Sequence, residues 1–153
     1  MKNVCFVCLG NICRSPMAEF IFKNKLRSAG IDDVSVCSRA TSYEEEGNPV
    51  YPPARAVLLK HGIRCDGKFA ARLEKSDYDK FDLIVCMEER NAYNATRIFG
   101  GDPDKKIKKL LDYTEEKGDI ADPYYTGDFD LTYRQIDAGC EALCDLFITK
   151  HKL

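Results

Sequence analysis

The chain of 153 residues carries 44% hydrophobic side chains, enough for one domain with its own core and too short to expect two. Its formal net charge of -2, with both signs mixed along the chain, offers no basic surface for nucleic acid or an anionic membrane, and Lys105, Lys106, Lys108 and Lys109 read as a solvated face. No basic leader precedes an apolar stretch, and no window approaches the roughly 18 apolar residues of a membrane helix, so a soluble, cytoplasmic protein is expected.

Val4-Cys5-Phe6-Val7 reads as a buried strand and runs straight into a turn with Gly10 and Asn11. A helix follows, with Ser15 as its expected N-cap, Pro16 at the first helical position, and Met17, Phe20, Ile21 and Leu26 continuing the pattern to Gly30. The alternation recurs: Val34 to Ser38 as a strand, Pro53 to His61 as a helix stopped by Gly62, Leu83 to Met87 as a strand, and Glu88 to Phe99 as a helix stopped by Gly100. Ile107 to Leu111 is a further strand, interrupted by lysines. Tyr133, Ile136, Cys140, Leu143 and Phe147 step by three and four, as on one face of a last helix.

Strands alternating with helices predict a single α/β domain over residues 1–153, with a four-stranded parallel sheet covered by helices on both faces. Ligands in such folds bind beyond the carboxyl ends of the strands, where the turn after Cys8 falls. Two long connections, 40–52 and 112–127, are candidate walls of a site. Eight cysteines would suit a secreted disulfide scaffold, but Cys5, Cys86, Cys140 and Cys144 sit in apolar runs and read as small core residues of a reducing compartment.

The segment Cys8-Leu9-Gly10-Asn11-Ile12-Cys13-Arg14-Ser15 carries the chemistry. A cysteine six positions before an arginine is a weak motif on its own, matched by chance in about one such chain in two. Its place between a strand and a helix start is what strengthens it, because free backbone N–H groups and the helix dipole make an anion site there. Those donors and the Arg14 guanidinium favour a charged, nucleophilic thiolate on Cys8. Arg14 offers a planar fork to two phosphate oxygens, the loop amides take the rest, and Ser15 can add a hydroxyl hydrogen bond to the sulfur. Gly10 permits close approach, and Asn11 tolerates a left-handed backbone.

Extended through Pro16-Met17-Ala18-Glu19, this loop resembles the signature of the low-molecular-weight protein tyrosine phosphatases. The segments Ala40-Thr41-Ser42, Gly47-Asn48-Pro49, Lys60-His61-Gly62-Ile63, Asp82 to Met87 and Asp122-Pro123-Tyr124-Tyr125-Thr126-Gly127-Asp128-Phe129 resemble that family in the same order. The resemblance implies a flavodoxin-like fold of the phosphotyrosine phosphatase I type, and hydrolysis of phosphotyrosine in proteins through a phosphocysteine, with phosphate or a similar oxyanion held in the loop and no cofactor.

A general acid is needed above the loop, and the residues alone leave Asp102-Pro103 and Asp122-Pro123 both readable as turns. The resemblance selects Asp122 as acid and then base, with Tyr124 and Tyr125 lining the mouth of the pocket, and it suggests Cys13 as the disulfide partner of an oxidised Cys8. The chain departs from the family where a histidine usually supports the loop: Lys68 or Phe69 stands there. No metal site is expected, since the only histidines are His61 and His151 and no His-Glu-x-x-His occurs.

Arsenate reductases and protein-arginine phosphatases on this fold are the alternatives. The first need a cysteine relay that Cys65 and Cys86 are poorly placed to supply. The second typically carry threonine at Ile12 and lack the paired tyrosines. A redox pair Cys5-x-x-Cys8 is disfavoured, because residues three apart on a strand face opposite sides. Glu44, Glu45 and Glu46, between Ser42 and Tyr51, are expected on one rim of the cleft.

Overall fold

The computed structural model describes residues 2–152, the side chains of His151 and Lys152 excepted. In chain order the elements are β1 (Asn3–Cys8), α1 (Arg14–Ser28), β2 (Ser35–Ala40), α2 (Pro52–Lys60), α3 (Asp77–Lys80), β3 (Leu83–Cys86), α4 (Glu89–Phe99), β4 (Ile107–Lys109), a 3-10 turn at Leu110–Tyr113, α5 (Pro123–Thr126) and α6 (Phe129–Lys152). The four strands form one sheet in the order β2-β1-β3-β4, every pair parallel. This is the expected single α/β domain with a flavodoxin-like sheet. Chain direction across the sheet reverses between β1 and β3, so the carboxyl end of β1, which is Cys8, stands at the topological switch point.

Strand alternation divides the core between the two faces. Val4, Phe6 and Cys8 pack with Met17, Ile21 and Phe22 of α1 and Ile136, Cys140 and Phe147 of α6, where Phe22 stands edge-on to both Phe6 and Phe147. Cys5, Val7, Ile84 and Cys86 face the other side, under Ala95 and Phe99 of α4 and Tyr78 of α3. Cys5 and Cys8 therefore lie on opposite faces, as strand geometry requires. His61 caps the carboxyl end of α2, and its ring stacks on Tyr133 at 3.8 Å.

Several boundaries differ from the sequence reading. Ser15 is not the N-cap of α1: Cys13 holds that position without a side-chain cap, the helix begins at Arg14, and the Ser15 hydroxyl turns to Cys8. The fourth strand ends at Lys109, because Leu110 and Leu111 turn inward as buried residues of the 3-10 turn. The lysine run is not one solvated face. Lys106 donates to the Tyr78 carbonyl at 2.7 Å and lies over that ring, and Lys109 pairs with Asp119 at 3.1 Å, which leaves Lys105 and Lys108 exposed. The connection 112–127 holds the end of the 3-10 turn and the short helix α5, both too short for a periodic signal.

Gly139 in α6 lies against the fully buried Leu110, and a Cβ there would stand 2.5 Å from Leu110 Cγ. Alanine would gain about 1 kcal/mol of helix propensity, but overpacking a rigid core typically costs about 1–3 kcal/mol. Gly139→Ala is expected to lower stability on balance, seen as a lower midpoint in urea unfolding.

Candidate active site

The Cys8 side chain ends β1 almost fully buried, and three donors converge on its sulfur. Ser15 Oγ lies 2.9 Å away, the Asn11 amide 3.3 Å and the Ser15 amide 3.4 Å. The Ser15 amide belongs to the first turn of α1, whose N–H groups have no partner inside the helix. The sulfur takes the place that an N-cap side chain would fill. Asn11 adopts the left-handed conformation the turn needs, at φ 59°, and a Cβ on Gly10 would crowd Glu45 Cγ at 3.3 Å.

A second set of contacts holds this loop from behind. The Ala71 amide donates to Asn11 Oδ1 at 3.1 Å, which fixes the orientation of the Asn11 carboxamide. Its Nδ2 then donates to Ser15 Oγ at 2.8 Å and to Ser38 Oγ at 2.9 Å, and the Ser38 hydroxyl donates to Glu19 Oε1 at 2.6 Å. Because Ser15 Oγ accepts from Asn11, its own proton is not used there and can point at Cys8, the other partner of the hydroxyl. Asn11, Ser15, Ser38 and Glu19 are all buried, so this is a dry polar network with its partners in place. Of the two residues at the family's histidine position, Lys68 reaches the network and Phe69 points to solvent.

Arg14 is 2% exposed, the largest of the fully buried side chains. Its Nη1 donates to the Ile120 carbonyl at 3.0 Å and lies 3.4 Å from Glu88 Oε2; its Nη2 donates to Glu88 Oε1 at 3.4 Å and to Asp122 Oδ2 at 3.3 Å. Burial opposes the Arg14 charge, but Cys8, Asp122 and Glu88 outweigh it and hold the pKa above the ordinary arginine value. Glu88 is itself fixed, because it caps α4 in a reciprocal capping box with Asn91. Sequence reasoning missed Glu88 and the Ile120 carbonyl. The one available signal was a glutamate at the carboxyl end of a central strand.

Asp122 caps α5, accepting from the Tyr124 amide at 3.1 Å through Oδ1 while Oδ2 faces Arg14. The Ile120 amide donates to the Met87 carbonyl and the Thr132 hydroxyl to the Ala121 carbonyl, so the loop before Asp122 is pinned to the residue after β3 and to α6. Tyr124 and Tyr125 are 60% and 77% exposed and meet edge to face, with Tyr124 against Tyr51 at 5.8 Å. Asp102 lies elsewhere, accepting from the Tyr78 hydroxyl at 2.6 Å and from the amides of Lys106 and Ile107.

These groups enclose one cavity of about 230 Å³, with the loop as its floor, Asp122, Tyr124 and Tyr125 on one side, and Glu44 and Glu45 on the other. Both long connections thus supply a wall, whereas Glu46 turns away and accepts from the Arg72 amide. Cys13 also lines the cavity, and burial, followed by the charges on Cys8 and Asp122, pushes its thiol up to about 12. Cys86 is on the opposite sheet face from Cys8, and Cys65 is buried by a different cavity, against Pro49 and Lys68. The arrangement brings together a buried cysteine sulfur, a forked cation and a carboxyl group.

The model of the family described as low molecular weight phosphotyrosine protein phosphatase matches residues 3–152. The chain is 39% identical over 146 residues to low molecular weight protein-tyrosine-phosphatase YfkJ of Bacillus subtilis, spanning 94% of each chain. It is 39% identical over 151 residues to the enzyme of that class named PtpA in Staphylococcus aureus, spanning 97% of this chain and 95% of that one. The crystal structure of YfkJ superposes with a TM-score of 0.93 at 38% identity, across 100% of this chain and 98% of that one. That of DARP, a Drosophila arginine phosphatase, superposes at 0.87 with 29% identity, across 96% and 98%.

Arg14→Lys keeps a positive charge but removes the planar fork. Loss of one charge-assisted hydrogen bond costs about 1.5–3 kcal/mol, so binding of tungstate, an unreactive oxyanion, is expected to weaken by about 10- to 100-fold in isothermal titration calorimetry.

Proposed function

Since the chain belongs to the low molecular weight phosphotyrosine protein phosphatase family, and is by that membership a hydrolase, we propose that it dephosphorylates tyrosine in proteins through Cys8, Arg14 and Asp122. The observation that carries this assignment is the Cys8 sulfur, held by a hydroxyl and two amides on the floor of a cavity walled by Asp122 and two tyrosines. In the first step Cys8 Sγ bonds to phosphorus while the bond from phosphorus to the phenolic oxygen breaks, and Asp122 gives its proton to that oxygen. Arg14 and the amides of the loop, Leu9 to Ser15, hold the other phosphate oxygens, meeting charge that grows in the transition state. In the second step Asp122 takes a proton from water as the water oxygen bonds to phosphorus. The sulfur–phosphorus bond breaks, releasing inorganic phosphate and the thiolate.

Tyr124 and Tyr125 suit an aromatic leaving group, since exposed faces at a mouth invite stacking. Ile12, partly buried at the cavity wall, adds apolar surface and no hydroxyl, which favours phosphotyrosine over phosphoarginine. An arsenate reductase cycle is disfavoured by Cys86 on the far face of the sheet. The eight cysteines are free thiols, seven of them buried, which supports a cytoplasmic setting. Among the described residues no helix is long and apolar enough to cross a membrane.

Aryl phosphate turnover tests the assignment. Cys8→Ser is expected to abolish it, and parent-like turnover in that variant would end the mechanism. Asp122→Ala should slow hydrolysis by about 100-fold or more on a poor leaving group, within the usual worth of general acid catalysis, and far less on an activated one. Equal losses on both would remove Asp122 from the acid role.

Cys13 is the proposed partner of an oxidised nucleophile. Peroxide converts Cys8 to the sulfenic acid, which also removes the Cys8 charge that raises the Cys13 pKa; attack by Cys13 sulfur then forms the disulfide and expels water. Mass spectrometry after mild hydrogen peroxide is expected to find a Cys8–Cys13 bond. Direct passage of Cys8 to sulfinic acid would exclude it.

A further inference from the structure

Lys68 does not line the cavity, yet its ammonium is drawn into the protein at 10% exposure and donates to the Ser38 carbonyl at 3.0 Å, on the outer edge of β2. It faces Glu19 Oε1 at 3.8 Å, the same oxygen that accepts from the Ser38 hydroxyl. Lys23 holds the other oxygen, Glu19 Oε2, at 2.6 Å, but from the solvent side of α1. Burial lowers the Lys68 pKa, Glu19 pulls it back, and Arg39 adds to the lowering.

We infer that Lys68 is a positioning residue for the nucleophile, acting on Cys8 through Glu19, Ser38, Asn11 and Ser15. Each link has a direction. Glu19 Oε1, facing Lys68, accepts the Ser38 proton, and Ser38 Oγ is then free to accept from Asn11. The second proton of Asn11 Nδ2 goes to Ser15 Oγ, which leaves the Ser15 proton for the Cys8 sulfur.

Lys68 also acts through the backbone. Its bond to Ser38 ties the segment 68–72 to the edge of β2, and that segment supplies the Ala71 amide that orients the Asn11 carboxamide. The Ala70 amide bonds to the Asn48 carbonyl and the Leu73 amide to the Ala40 carbonyl, so both sides of Ala71 are fixed to the domain. The cation thus meets the relay at its distal end, and adds one side-chain tie to a segment that backbone bonds also hold at the relay's midpoint.

The inference builds on the proposed role of Cys8 as nucleophile, and its test is read on the sulfur itself. The rate of Cys8 alkylation by iodoacetamide is followed by peptide mass spectrometry across pH, with aryl phosphate turnover measured alongside. Lys68→Met is expected to slow alkylation at neutral pH by about tenfold, the lower end of what losing an orienting partner costs at catalytic sites, and to move the alkylation midpoint to higher pH. Lys68→Arg, which keeps the charge, restores both. In a Ser15→Ala background the last link is gone, and Lys68→Met should then change the rate by less than about twofold, a non-additivity that a purely structural role would not produce.

Equal slowing in both backgrounds, or an unchanged pH profile in folded Lys68→Met, overturns the inference. If Lys68→Met does not fold, Glu19→Gln takes its place in the same cycle and must give the same non-additive pattern. Coupling in alkylation with no turnover of any phosphate ester would keep the inference and overturn the proposed function; turnover without coupling would do the reverse.

Discussion

A sulfur that is to carry negative charge while almost fully buried must be surrounded by donors, and the rest of the structure is arranged around that requirement. β1 delivers Cys8 to the switch point of the sheet, where a helix can begin directly beneath it. The first turn of α1 is left without a side-chain cap, so its amides remain available to the sulfur and to an anion. The left-handed Asn11 lets the chain fold back far enough for an amide from each side of the turn to reach one atom. The short apolar run before Cys8 and the helix after it are therefore parts of one electrostatic device.

Asn11 links that device to the edge of the domain. It belongs to the loop by its backbone, to β2 through Ser38, and to the segment 68–72 through Ala71. Replacing it would leave donors and acceptors unpaired in a dry interior, where the loss of one partner strands the other. A positive charge at Lys68 suits this place because the neighbouring carboxylate is also buried: without Glu19 the ammonium would lose its counter-charge, whereas Glu19 without Lys68 keeps its pairing to Lys23.

The fold was largely legible from periodicity and punctuation. Val4 to Val7, the apolar stripe of α6, and the glycines after α1, α2 and α4 are local signals, and each element lies where they point. Cys8 and Arg14 were legible because they sit between two such elements. Local pattern failed where tertiary chemistry prevails. Ser15 looks like an N-cap, but its hydroxyl is claimed by Cys8; Lys106 and Lys109 look like solvated charges, but each finds a partner across the fold. Ser38 has no local signature, Glu88 only its place after a central strand and Lys68 only its place in the resemblance, since each makes its contact with a residue 19 or more positions away in sequence. Asp122 was separable from Asp102 only by resemblance, because both are carboxylates before a proline, and the geometry differs only in whether the loop faces Arg14 or Tyr78.

The ion pair between Arg14 and Asp122 joins the two halves of the proposed mechanism. The guanidinium is shared between Glu88, the Ile120 carbonyl and Asp122, so its charge is balanced inside the domain. Of the two carboxylates, Glu88 is clamped by its capping box at the end of β3, whereas Asp122 stands on a one-turn helix at the mouth. In that mechanism a phosphate dianion in the loop would compete for the fork, and Asp122 is the carboxylate placed to yield, since its contact to the Tyr124 amide is made by the other oxygen. The carboxyl group released in this way lies on the side of the cavity where an aromatic leaving group meets Tyr124 and Tyr125, and is free to carry the proton the departing oxygen needs. In the proposed mechanism, substrate binding and placement of the acid would then be one rearrangement, centred on a single buried arginine.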